Sequence, residues 1–253
     1  MFVFLYLYSY NYYNNNFEDR MNKYIILIIV FCFSTIVANN KSDNYLINPI
    51  ETTHGILLTN NFESTLYLLN NGNLETLISA PGCGRYIQIS PNGQLVGFKL
   101  IDPKTQLQAP AIYDLAKRTL TKLNDFVKNS GQVSFSADDK IAFTIENELF
   151  IKIGNETIKI DLGFYTNRAT ISPNGKSVVF SNNQSELVVL DLESKSIQKI
   201  SNGEIEYYNA SWSPNNLMLA FQSVNAKVFL YNITSKSIFL VANGENPKWK
   251  SDS

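Results

Sequence analysis

Apolar and polar positions alternate in a fixed order along most of the chain. The stretch Ala210 to Gly244 shows it in full: ASWSPNNLMLAFQSVNAKVFLYNITSKSIFLVANG. A short apolar run, a polar turn, a second run, another turn and a third run predict an antiparallel meander. The same order returns at least three times upstream. GRYIQISPNGQLVGFKLI starts at Gly84, GQVSFSADDKIAFTI at Gly131 and RATISPNGKSVVFSN at Arg168. Each copy has Ser, then Pro or Ala, then Asn or Asp. An apolar run follows and ends on Phe98, Phe143, Phe180 or Phe221. Pro fixes φ and Asn-Gly tolerates positive φ, so the Ser-Pro-Asn segment is hairpin-turn chemistry. The flanking runs are rich in Ile, Val and Phe, as half-buried strands require.

The second half of the unit repeats as PAIYDLAKRTLTKL, ELFIKIGNETIKI, ELVVLDLESKSIQKI and KVFLYNITSKSIFLV. Asp114, Asp191 and Asn232 hold matching places before their turns. Such side chains accept from backbone amides two residues on, which is a structural role. The units, measured from Ser90, Ser136, Ser172 and Ser213, recur about every 36 to 46 residues, within the blade-repeat range. Four short strands per unit cannot bury both faces alone. Stacking successive sheets around an axis does so and leaves only short edges. The chain is therefore read as all-β, a β-propeller of about five four-stranded blades. A β-sandwich fits the strand spacing too; the repeated text argues against it.

Gly55 to Ser79 (GILLTNN, STLYLLN, NLETLIS) reads as the last three strands of a unit without its opening strand. At the other end, Trp249 in NPKWKSDS stands where Trp212 stands one unit earlier. The expectation is that the C-terminal strand pairs with the N-terminal blade and closes the ring, which removes two sheet edges. The alternative is a fragment of a longer propeller, cut as another unit began.

Upstream, residues 1–20 are an aromatic, then Asn-rich extension of low complexity. Residues 21–38 read as a signal peptide: Lys23, an apolar core from Tyr24 to Val37, and Ala38 at the exit. The core is shorter than the roughly 20 residues of a membrane span, so no stable span is expected after removal. The other reading is an uncleaved anchor. Residues 39–49 are expected as a linker and 50–253 as the propeller.

Composition adds little. Aromatic residues make up 13 % of the chain and suit inter-blade packing. The net charge is −1, from 21 basic and 22 acidic residues without a basic stripe, which argues against a nucleic-acid partner. Cys32 lies in the apolar core of the signal. Its removal leaves Cys83 alone, so no internal disulfide is expected; Cys83 reads as a small loop residue. His54 is the only histidine and reads as a strand-entry residue. No Ser/His/Asp set, metal set, G-x-S-x-G elbow or phosphate loop can be assembled. Asp138-Asp139 stand where sister units carry Asn92-Gly93 and Asn174-Gly175, so turn formation accounts for them. Sequons at Asn40, Asn155, Asn183, Asn209 and Asn232 are expected by chance in so Asn-rich a chain. No catalytic, cofactor-binding or metal residue is assigned, no cofactor is expected, and the binding residues are left open.

The segments ISPNGQLVGF, FSADDKIAF, ISPNGKSVVF and WSPNNLMLAF resemble the W-S-P-D-G-K-x-I-A-F repeat of TolB-like, WD40-like propellers. The propeller domain of dipeptidyl peptidase IV and its relatives carries the same repeat. IYDL, VVLDL and FLYNI match the family's second strand pair. The resemblance covers about residues 45 to 253. It departs in having Trp only at Trp212 and Trp249, Ala137 in place of Pro, and Asn often in place of Asp. It implies a secreted or periplasmic, non-catalytic module, a monomer, that binds a protein partner at its axial surface. A substrate-gating propeller of a dipeptidyl-peptidase-like protein without its hydrolase domain is the alternative. A glycan-binding or glycan-cleaving propeller is a weaker one. All three rest on fold analogy.

Overall fold

The computed structural model describes residues 45–201 and 203–249. The extension at 1–20 and the signal at 21–38 lie outside the described residues. Twenty strands form five four-stranded antiparallel sheets, each a meander of four consecutive strands. Blade 1 contains β1 (Leu46–Thr52), β2 (Gly55–Asn60), β3 (Thr65–Asn70) and β4 (Asn73–Ser79). Blade 2 contains β5 (Gln88–Ile89), β6 (Leu95–Ile101), β7 (Gln108–Asp114) and β8 (Thr119–Lys122). Blade 3 contains β9 (Ser134–Phe135), β10 (Ile141–Ile145), β11 (Glu148–Ile153) and β12 (Glu156–Asp161). Blade 4 contains β13 (Ala169–Ile171), β14 (Ser177–Ser181), β15 (Leu187–Asp191) and β16 (Ile197–Lys199). Blade 5 contains β17 (Tyr207–Trp212), β18 (Met218–Ser223), β19 (Lys227–Asn232) and β20 (Ser237–Asn243). The molecule is a five-bladed β-propeller. Among the described residues no helix is long and apolar enough to cross a membrane.

The second strand of each repeat is the core strand. Its Phe is buried in all four copies: Phe98, Phe143, Phe180 and Phe221. Packing runs between blades: Leu57 and Leu66 of blade 1 join Val96 and Phe98 of blade 2 in one cluster. Val179 and Leu187 of blade 4 meet Trp212, Leu219 and Phe221 of blade 5 in another. Outer strands lack a covering sheet; all four residues of β8 are exposed.

The Ser-Pro-Asn turn is built the same way each time. In blade 4, Ser172 Oγ bonds Asn174 Oδ1 at 2.7 Å and accepts from the Ser177 N–H at 3.0 Å. Ser213 does the same with Asn215 at 2.7 Å and the Met218 N–H at 2.9 Å. Asp138 takes the Asn place in blade 3 and accepts from Ser136 Oγ. The Asx caps also form. Asp114 Oδ1 accepts from the N–H groups of Ala116 and Lys117, Asp191 from Glu193 and Ser194, and Asn232 from Thr234 and Ser235.

Two expectations need correction. Blade 1 has its own innermost strand, β1, paired along β2 from Leu46↔Asn60 to Thr52↔Gly55. That strand begins inside the expected linker at 39–49. Its alternation is hidden in the sequence because Asn48 lies at positive φ and a bulge interrupts the register between Ile47 and Ile50, where Pro49 has no N–H to give. The tail therefore does not supply the missing strand of blade 1. It lies on blade 5, where the Trp249 indole N–H donates to the Ser211 carbonyl at 3.1 Å.

Candidate functional site

The first strand of each blade lies innermost, where β5 neighbours β9, β9 neighbours β13, and β13 neighbours β17. Just before these strands the chain enters the ring, and a cavity of about 380 Å³ opens there. Four units contribute the same repeat position to its wall, four residues before the turn serine. Those residues are Tyr86, Gln132, Arg168 and Asn209. Tyr165, Asn167, Tyr207 and Tyr208 add aromatic and amide surface. Tyr86 and Tyr165 are exposed and stand at the rim.

A second repeat position backs this wall. The residue after each core Phe is polar and points inward: Lys99, Thr144, Ser181 and Gln222. Each bonds the lead-in of a following inner strand or the segment that comes after the blade. Thr144 Oγ1 donates to the Thr166 carbonyl at 2.6 Å, and Ser181 Oγ to the Tyr207 carbonyl at 2.9 Å. Gln222 Oε1 accepts from the Asn246 N–H at 2.5 Å. Lys99 Nζ donates to the Ser130 carbonyl at 2.9 Å, Asn167 Oδ1 at 2.7 Å and Gln108 Oε1 at 3.0 Å. Three of these bonds satisfy backbone carbonyls, those of Ser130, Thr166 and Tyr207, and the Gln222 bond satisfies a backbone N–H. Gly131 keeps one of them possible: a Cβ there would lie 1.9 Å from Thr144 Oγ1.

The electrostatics are one-sided. Burial, aided by the nearby Arg85, pushes the Lys99 ammonium down to about 8, yet its three acceptors are all neutral. Burial also lowers the Arg168 guanidinium, whose Nη1 donates to Asn209 Oδ1 at 2.7 Å. Asn209 Nδ2 in turn donates to Gln222 Oε1 and Asn246 Oδ1, both at 3.3 Å, so its sequon amide is engaged in the wall. The Tyr165 ring is exposed, but its hydroxyl end is turned inward and donates to the Ser130 carbonyl at 2.9 Å; burial of that end and then Glu146 push the phenol up to about 12. Among the described residues Glu206 is the only carboxylate lining the cavity, and it is exposed.

The groups considered as chemistry lie elsewhere. His54 sits in the β1–β2 turn, its Nδ1 3.0 Å from Thr53 Oγ1. Cys83 is fully buried in the core between blades 1 and 2, and burial pushes its thiol up to about 11. Among the described residues no group of three His, Cys, Asp or Glu could hold a metal. The cavity can offer hydrogen bonds, aromatic faces and positive charge.

No protein-family model matches the sequence, and no curated protein matches it. Solved structures do. TolB from Acinetobacter baumannii superposes with a TM-score of 0.60 at 18 % identity, over 81 % of this chain and 56 % of that one. This chain thus spans little more than half the length of that TolB. A TolB from Agrobacterium tumefaciens superposes with a TM-score of 0.59 at 14 % identity, over 79 % of this chain and 81 % of that one. The TolB-like repeats read in the sequence are matched by the propeller fold of the TolB structures.

Proposed function

We propose that the chain is a non-catalytic propeller module that works outside the cytoplasm and binds a protein partner at its axial cavity. The observation that carries this is the cavity wall itself. One repeat position from four blades supplies Tyr, Gln, Arg and Asn to a single concavity rimmed by further tyrosines. Tyr and Arg are the residue types that dominate binding energy at protein interfaces. The implied role of TolB-like propellers agrees with this. The leader read at 21–38 is the support for an extracytoplasmic place.

A photo-crosslinking side chain introduced at Tyr208, in the native host, tests the reading. The exposed outer-strand residue Leu120 serves as control. A discrete protein adduct from position 208 and none from 120 is the expected result. No adduct at 208, or equal adducts at both, overturns it. Fractionation and N-terminal sequencing of the same material test the location, with Asn39 as the expected first residue.

A further inference from the structure

The three described arginines differ in their partners. Arg85 and Arg118 lie at the surface beside Glu63 and Glu75, at 3.7 Å and 2.8 Å. Arg168 is the more deeply enclosed, yet among the described residues it pairs with no carboxylate; its described partner is the neutral Asn209. A guanidinium carries five donors in a planar fork. Enclosing one without an anion is costly, and such a charge draws an anion to it. The Lys99 ammonium sits directly behind the same wall through Asn167, and it too is held only by neutral acceptors. All three of its hydrogens are used, so Lys99 supplies charge while Arg168 keeps free donors. Gln132 also lines the cavity; its Oε1 is enclosed, so its Nε2 donors are the atoms that face the space. Glu206 is the one carboxylate among the described lining residues, and it is exposed and forms no ion pair with Arg168. The wall around Arg168 thus offers donors and lacks a charged acceptor.

We infer that the cavity takes a carboxylate from an acidic segment of a protein partner, with Arg168 receiving the acid. The inference rests on the reading of the cavity as a partner site and names the chemistry of the partner. One free planar fork suits a carboxylate. A phosphate dianion would need more donors than Lys99, already saturated, leaves. The Gln132 Nε2 donors can add to the Arg168 fork, and flanking side chains lie on Tyr86 and Tyr208. The carboxylate can come from an Asp or Glu side chain or from a chain terminus.

Three pools of fluorescein-labelled hexapeptides, read by anisotropy against the full chain, decide this. The first holds a central Asp or Glu and an amidated end. The second holds Asn or Gln and an amidated end, and the third holds Asn or Gln and a free carboxyl end. A carboxylate pool should bind about tenfold tighter than the neutral pool or better. Whichever of the two wins identifies the source. Arg168→Gln, which can keep the bond to Asn209, should bring the winner to the level of the neutral pool. Equal binding of all three pools to the wild-type chain overturns the inference, as does no binding by either carboxylate pool. An acid preference that survives in folded R168Q overturns it too. The wild-type comparison stands even if R168Q fails to fold. Equal binding by the neutral pool sinks the carboxylate but leaves the interaction reading intact; that reading falls on the crosslinking result alone.

Discussion

Trp249 donates its indole N–H to the carbonyl of Ser211, as Trp212 one unit earlier donates to the carbonyl of Thr170 at 2.9 Å. Ser211 and Thr170 hold the same place, two residues before a turn serine. The match extends backwards along the tail. Asn246 and Asn209, each three residues before its Trp, have φ of 54° and 55°. Residues 245–249 are thus laid against blade 5 as the beginning of an inner strand. They cover the face that carries Gln222, which is only 1 % exposed.

Replacing Trp249 should therefore loosen blade 5. The side chain is half-buried, so Trp249→Ala should cost about 1–2 kcal/mol, less than a full core truncation. Trp249→Phe keeps the ring and loses only the hydrogen bond, and should cost about 1 kcal/mol or less. Urea unfolding followed by tyrosine fluorescence measures both. Equal stability of W249A and wild type would show that the tail is not packed as described.

The serine of the turn should matter more than the asparagine. Ser213 is 1 % exposed, and its Oγ is the acceptor for the buried Met218 N–H. Ser213→Ala leaves that N–H without a partner, at a cost of about 1–3 kcal/mol. Asn215 is exposed, and water can replace its contacts. Asn215→Ala should stay below about 1 kcal/mol. A larger loss from the asparagine change, in the same unfolding experiment, would reverse the assignment of roles.

Strands and turns were legible because their causes are local. The apolar runs ending in Phe98, Phe143, Phe180 and Phe221, and the caps at Asp114, Asp191 and Asn232, need no knowledge of distant residues. β1 was hidden because Asn48-Pro49 breaks its alternation with a bulge. The tail misled for a related reason. Trp249 does mark the opening of a unit, but a motif says nothing of which sheet the opening joins. The cavity was written in the repeats at two positions that drew no notice. One is four before the turn serine, giving Tyr86, Gln132, Arg168 and Asn209; the other follows each Phe. Polar residues at the end of a core strand are a visible signal. Their convergence on one space is a property of the ring and cannot be seen in one unit.

Cys83 should report on unfolding. It is fully enclosed between blades 1 and 2, and burial pushes its thiol up to about 11. Both access and the thiolate fraction are low at neutral pH. In a chain carrying Cys32→Ser, an aromatic disulfide reagent should leave the folded protein unlabelled for hours and react at once in guanidinium. The labelling rate should rise with denaturant in step with the unfolding equilibrium. Rapid labelling of the native chain would mean that the two blades part easily.

Lys99 should make the protein more stable in mild alkali. Burial, with Arg85 nearby, holds its ammonium at about 8 against an ordinary value of 10.5. Below about pH 8 both folded and unfolded chains keep the proton, and Lys99 contributes no slope. Between about 8 and 10.5 the folded chain releases a proton that the unfolded chain retains, so stability rises with pH. The gain should be about 1 kcal/mol once solvent screening is allowed for. Tyr165 acts in the opposite sense. Burial, then Glu146, pushes its phenol up to about 12, so the unfolded chain ionises first from about pH 10 and stability falls. Burial shifts Tyr207 and Tyr231 in the same direction. The rise belonging to Lys99 is thus confined to roughly pH 8 to 10. Lys99→Met deprives Ser130, Asn167 and Gln108 of a donor, so its absolute stability mixes several effects. Its slope does not: the rise between pH 8 and 10 should vanish while the fall above pH 10 persists. Urea midpoints measured at half-unit steps of pH separate the two, and a rise that survives in K99M would place the responsible group elsewhere.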